Sequence, residues 1–191
     1  MSQDLPRRQA KAYCRTVAIV APPQGVVLVS YPPPLYTGGS GEKSAWVRPG
    51  DAEPDLVYPN GNRVHYVARG EATGGLFGLY RWEFAGPPSG PGSHFHKTMS
   101  ESFYVLEGIV TIFDGDRWIK ARSGDFLHVP PGGLHGFRNE DGPASMLLHF
   151  APGAPREAYF EGLAHNGGVA AMSAEQHADF MAAHDNFWDE E

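Results

Sequence analysis

At 191 residues the chain is long enough for one domain to bury roughly two-thirds of the surface its unfolded form exposes. A formal charge of -7 without any basic stripe excludes a nucleic-acid partner, and a single cysteine, Cys14, excludes an internal disulfide or a cysteine-ligated metal and fits a reducing cytoplasm. Gly 24 and Pro 17 beside 12% aromatics predict tight turns between short strands, not disorder.

From the N terminus, residues 1–60 carry little regular pattern. Residues 17–21 and 26–31 have the composition of short edge strands, because prolines flank them without interrupting them. The first run is stopped by Pro22-Pro23, too short and too broken for a signal-peptide core or a membrane span, so no membrane association is expected and cytoplasmic residence is. Arg7, Arg8 and Lys11 read as a solvated face. Tyr31, Tyr36, Trp46 and Tyr58 are more aromatics than a free linker carries, and predict an extended arm packed on the following domain or on a second subunit.

Strand-like segments separated by turn signals every 8 to 12 residues then predict an all-β sandwich or barrel over residues 61–152. The expected strands are 63–69, 76–84, 102–106, 109–113, 117–121, 125–129, 135–138 and 145–150. Asp114-Gly115-Asp116 joins two of them as a hairpin, glycine supplying the positive φ. No helical segment intervenes, which excludes a parallel α/β sheet. Residues 153–191 are expected to form a short helical extension. Residues 156–163 make one helix, and Ser173-Ala174-Glu175-Gln176 forms a capping box opening a second through about His184. Ala178, Phe180, Met181 and Ala182 form its packing stripe, and a frayed acidic tail follows over 185–191.

Three histidines and one carboxylate carry the chemistry. Side chains two apart on a strand share a face, so His94 and His96 can clamp one ion while Phe95 points away. Glu101 follows the turn-like residues 97–100 and can fold back onto the neighbouring strand, and His135 would come from another strand. Imidazoles with one carboxylate suit a single divalent first-row ion, Fe, Mn, Co, Ni, Cu or Zn, and four protein ligands leave one or two positions open on an octahedral ion. Alternation from Glu101 sends Phe103 and Val105 inward with it and Tyr104 and Leu106 outward, while Phe137 shares the face of His135. The resulting cavity suits a flat aromatic or polyketide-like small molecule, with Phe103, Val105, Phe137 and, if it faces inward, His149 as substrate contacts. Tyr80, Trp82 and Phe84 alternate as core, Glu107 reads as an exposed turn residue, His65 as structural, and His165, His177 and His184 as surface.

The spacing resembles the two motifs of the cupin superfamily. His-x-His, four residues, Glu, six residues, Gly falls on His94, His96, Glu101 and Gly108; Gly, five residues, Pro-x-Gly, two residues, His, three residues, Asn falls on Gly124, Pro130, Gly132, His135 and Asn139. One position departs: the family's leading glycine falls on Pro88, with Gly86 and Gly90 on either side. The resemblance implies a single-domain antiparallel jelly-roll barrel, one metal held by His94, His96, Glu101 and His135, and a homodimer. Within the superfamily the chain resembles quercetin 2,3-dioxygenase-like members. That implies a metal-dependent dioxygenase using O₂, with Glu101 as both ligand and catalytic base toward a substrate hydroxyl. A non-redox isomerase or cyclase, and a non-catalytic small-molecule-binding module, are the alternatives.

Overall fold

The computed structural model describes residues 32–140, 142–165 and 168–188. The expected strands at 17–21 and 26–31, Cys14 and the Arg7, Arg8 and Lys11 cluster lie outside these residues. The chain divides into two units between Ala45 and Trp46. In the first, residues 32–45 form no helix or strand, and the Tyr36 hydroxyl donates to the Ser40 carbonyl at 2.5 Å.

In the second unit the described elements are β1 (Leu56–Val57), β2 (Arg63–Ala68), β3 (Gly78–Phe84), β4 (His94–Phe95), β5 (Ser100–Glu107), β6 (Ile109–Phe113), β7 (Trp118–Arg122), β8 (Phe126–Val129), β9 (Gly136–Arg138), β10 (Ala144–Ala151), α1 (Arg156–Ala164), α2 (Ala174–Ala183) and β11 (Phe187–Trp188). They build a six-stranded sheet in the order β1-β2-β3-β10-β5-β8, a three-stranded sheet β7-β6-β9 and a short pair β11-β4, with every named pairing antiparallel. This is the all-β arrangement of a jelly roll, and both α-helices lie toward the C-terminal end of the chain, with a 3-10 turn at Glu71–Thr73 between β2 and β3.

Period-2 alternation decides which side chains enter the core. On β3 the buried set is Tyr80, Trp82 and Phe84, on β10 Met146, Leu148 and Phe150, and on β5 Phe103 and Val105. The register sets Tyr80 beside Leu148 and Trp82 beside Met146 on one side of β10, with Phe103 beside Leu148 and Glu101 beside Phe150 on the other. These inner rows meet Val110, Ile112 and Phe137 of the smaller sheet in one buried cluster. Each fully buried side chain of this kind contributes about 1.5–3 kcal/mol relative to exposure. Glu101 is the polar member at the end of an otherwise apolar row, a placement that demands charge partners.

Helix α1 lies against this core through tyrosines. Tyr58 donates to the Phe160 carbonyl at 2.9 Å and Tyr80 to Glu157 at 2.7 Å, while Phe160 packs on Tyr80 and Trp82 at ring distances of 5.2 and 5.8 Å. Burial raises the phenol pKa of Tyr58, and burial followed by the Glu157 carboxylate raises that of Tyr80. A group whose folded pKa lies above its unfolded value stabilises fully below the unfolded pKa and loses that contribution as pH rises through the folded one. Stability is therefore expected to fall above about pH 10, the unperturbed tyrosine value. Denaturant unfolding from pH 8 to 11 checks this, and a stability constant over that range would contradict it.

Helix α2 opens with the expected capping box, Ser173 Oγ accepting from Gln176 N at 3.2 Å and Gln176 Oε1 accepting from Ser173 N at 2.9 Å. Its packing stripe needs correction. Met181 and Phe180 do face inward, but Ala178 and Ala182 are exposed, and the stripe continues through His177 and His184, which follow the helical spacing. Within the tail expected to fray, Phe187 and Trp188 instead pair with Phe95 and His94. Among the described residues no helix is long and apolar enough to cross a membrane.

Candidate metal centre

Backbone pairing brings the four polar residues together. His94 and His135 form an isolated antiparallel bridge, each amide donating to the other's carbonyl at 2.8 and 2.9 Å. Glu101 enters from β5, and Gly132 N donates to the His96 carbonyl at 2.7 Å, tying the proline-glycine turn to the histidine pair. Asn139, fully buried, closes the other end of that turn. Its Nδ2 donates to the carbonyls of Gly86, Pro87 and Gly142 at 2.9, 3.1 and 3.1 Å, and its Oδ1 accepts from Ser89 N at 3.0 Å. Around Pro88 the glycines carry the strain: Gly90 has φ +142°, and a Cβ there would overlap the Phe137 carbonyl oxygen.

The ligand atoms of His94, His96, Glu101 and His135 lie within 4.8 Å of one another, and all four residues are buried. Each imidazole presents Nδ1 to a backbone carbonyl: His94 to Gly92 at 2.9 Å, His96 to Asp185 at 2.5 Å, His135 to Gly133 at 2.9 Å. A carbonyl oxygen only accepts, so each Nδ1 carries a proton and, in the neutral ring, each Nε2 is a lone pair. Glu101 Oε2 stands 2.8 Å from His135 Nε2 and 3.1 Å from His96 Nε2. Acceptors turned on acceptors repel unless a cation or extra protons lie between them, so the donor set fits a divalent metal.

Without an ion, the charges reflect the same need. Burial pushes the Glu101 carboxyl up, but hydrogen bonds from His135 and His96 outweigh it and hold the group well below the usual carboxylate range. Burial works against a charged His135, yet its bond to Glu101 leaves its pKa raised, whereas burial and then the neighbouring His135 push His94 down to about 4. The site thus favours an ionised carboxylate at a buried position.

Glu101 and His94 open onto a cavity of about 530 Å³ whose walls include Tyr58, Trp82, Phe137, Phe150, Phe160 and Trp188. Of the residues expected to contact substrate, Phe137 lines this cavity. Phe103 and Val105 are buried on the expected face, but Phe103 stands behind the wall, its ring 5.9 Å from that of His135 and 5.5 Å from that of Phe137. His149 is a correction. Leu148 and Phe150 take the inner face, so alternation turns His149 to the outer one, where it stacks on Phe77 at 5.5 Å. His177 lines the cavity and His184 packs on Phe180, so neither is the plain surface histidine expected, while His165 is exposed. Sequence reasoning missed Tyr58, Arg156, Tyr159, Phe160 and Trp188, all outside the motif segment. The signal for Trp188 was an aromatic pair, Phe187-Trp188, set in an acidic tail.

The C-terminal turn also orients His96. Asp185, at φ +58°, accepts from Lys97 N, Thr98 N and Thr98 Oγ1 at 3.0, 2.9 and 2.7 Å while its carbonyl faces His96 Nδ1. Asp185→Ala removes these acceptors and leaves the left-handed backbone there without the side-chain hydrogen bonds that compensate it. Metal affinity is expected to fall about tenfold with the fold retained, since such outer partners set imidazole orientation; competitive chelator titration reads it.

Residues 81–150 match the family described as Cupin domain. Over 60 residues the chain is 37% identical to a quercetin 2,3-dioxygenase of Bacillus subtilis, a stretch covering 31% of this chain and only 18% of that relative. A solved structure of a predicted oxalate decarboxylase from Thermotoga maritima superposes with a TM-score of 0.50 at 19% identity, covering 56% of this chain and 99% of that one. The polyketide cyclase RemF from Streptomyces resistomycificus aligns at 22% identity over 56% of this chain and 78% of its own, with a TM-score of 0.46.

Proposed function

We propose that this chain, which carries a cupin domain over residues 81–150, is a metal-dependent dioxygenase acting on a flat aromatic or enolic small molecule. The observation that carries the reading is the convergence of imidazole lone pairs and the Glu101 carboxylate at one end of an aromatic-walled cavity. The local likeness to a quercetin 2,3-dioxygenase supports it, although that relative is matched over a small part of its length. A divalent first-row ion held by His94, His96, Glu101 and His135 would supply charge stabilisation to an anionic oxygen and, for a redox ion, a route to O₂.

The remaining work falls to the chain. Glu101 is ionised at neutral pH and positioned to take a proton from a substrate hydroxyl at the cavity end. Phe137, Phe150, Phe160 and Trp82 exclude water from the ring system and strengthen every charge interaction inside. Backbone carbonyls at Gly92, Gly133 and Asp185 hold the imidazoles in one tautomer throughout. The same reading expects a homodimer. The outer face of the six-stranded sheet, with Tyr104 43% and Phe126 64% exposed near Leu79 and Leu147, is the apolar surface that a second copy would cover.

The test is elemental analysis of protein purified without added metal, followed by oxygen-electrode assays with flavonols, catechols and diketones. Substrate-dependent O₂ uptake matched by product supports the assignment. Product formed equally well without oxygen would move it to a non-redox isomerase or cyclase, and ligand-dependent thermal stabilisation without product would make the chain a binding module.

A further inference from the structure

Arg156 opens α1 and is 4% exposed. Its guanidinium carbon lies 5.1, 4.2 and 5.7 Å from the ring centroids of Phe150, Tyr159 and Phe160. The terminal nitrogens are engaged: Nη1 donates to the His184 carbonyl at 2.6 Å and Nη2 to Asn186 Oδ1 at 3.3 Å. The guanidinium also interacts with the Tyr159 hydroxyl; Nε–H has no acceptor, and among the described residues no carboxylate forms a direct ion pair with the group, although those of Glu101 and Asp185 act on it at longer range. A buried permanent cation whose hydrogen-bond partners are all neutral is costly, and the aromatic faces offset only part of that cost.

A second orphan belongs to another residue lining the cavity. Trp82 Nε1–H is buried without an acceptor, and the Trp82 ring packs on Phe160 at 5.8 Å, so both unpartnered donors belong to side chains that pack on one phenylalanine. Both residues line the cavity onto which Glu101 opens. Of the lining residues only Glu101 and Arg156 carry a formal charge when histidine is neutral, and Glu101 is committed to the imidazole cluster. The charge left for a ligand is positive.

We propose that the cavity selects anionic aromatic ligands, a flat ring system bearing an ionised carboxylate or enolate. The oxyanion accepts from Arg156 Nε–H, and a second oxygen of the ligand accepts from Trp82 Nε1–H. This names the substrate class of the site assigned above, and it rests on that reading for turnover but not for binding. Arg156 serves as the specificity-determining anchor, and the aromatic walls take the rings.

Calorimetric titration of the full chain with 2-naphthoate and with 2-naphthamide, nearly equal in shape and different in charge, tests it under anaerobic conditions. The carboxylate is expected to bind about tenfold tighter or more, the effect of one charge-assisted hydrogen bond. That preference should persist after chelator treatment, survive in Arg156→Lys, and collapse to about twofold or less in Arg156→Met. Because Arg156 also holds His184 and Asn186, a loosened turn would weaken both ligands alike; the ratio reports the anion contact and not the packing. Should Arg156→Met not fold, nitrogen-15 NMR of the wild type replaces it. The Arg156 Nε–H resonance should then move downfield with naphthoate and stay in place with naphthamide. Equal affinities, no binding of either probe, a preference lost on chelation, or one retained in Arg156→Met would each overturn the proposal. Absence of O₂ uptake counts against the dioxygenase assignment alone and leaves the binding ratio as it stands.

Discussion

Glu101→Gln is expected to lower turnover at least about a hundredfold while bound metal stays close to one ion per chain, the range expected when a positioned base is removed. The amide keeps a ligand oxygen and nearly the same volume in a site only 3% exposed, so neither the metal nor the packing need be lost. What it cannot do is take a proton from a substrate hydroxyl. The carboxylate lies at the cavity end, with Oε2 2.8 and 3.1 Å from the Nε2 atoms of His135 and His96. Steady-state kinetics with parallel elemental analysis checks the result; an unchanged rate would remove Glu101 as the base.

His135→Ala is expected to abolish metal-dependent stabilisation. For a ligand that binds only the folded state, a thousandfold excess over Kd adds about 4 kcal/mol. The wild type should therefore melt several degrees higher with added metal, and the variant should show no shift. His135 is the hub of the cluster: its ring lies 4.3 Å from that of His94 and 5.1 Å from that of His96, and its backbone bridges His94. Its loss also leaves the buried Glu101 short of one partner, which costs about 3–5 kcal/mol by itself. His135→Gln is the milder control, and thermal melts with and without metal read both effects. A full metal-induced shift in either variant would exclude His135 as a ligand.

Much of the fold and the metal cluster was legible because their signals are local. Alternation along β5 placed Glu101, Phe103 and Val105 on one face and Tyr104 on the other, as found. The spacing from Gly124 to Asn139 encoded a turn whose glycines and buried asparagine close around the histidine pair. The capping box at Ser173 was readable for the same reason, since its donors and acceptors lie within one helical turn. His149 was misplaced although the pattern contained the answer: its neighbours Leu148 and Phe150 claim the inner face, and a strand has only two.

The amino-acid order by itself determined the composition of the His94, His96, Glu101 and His135 cluster, the inner faces of the strands and the all-β class, because strand period, turn chemistry and capping act over a few residues. Only the tertiary structure decided what the cluster faces. Tyr58 comes from the connection between β1 and β2 and Arg156, Phe160 and Trp188 from after β10, and these residues assemble one wall through contacts as distant in sequence as the separation of 102 between Tyr58 and Phe160. No periodicity spans such a separation. The same folding brings the Arg156 guanidinium, the Trp82 indole and the Glu101 carboxylate to the lining of one cavity.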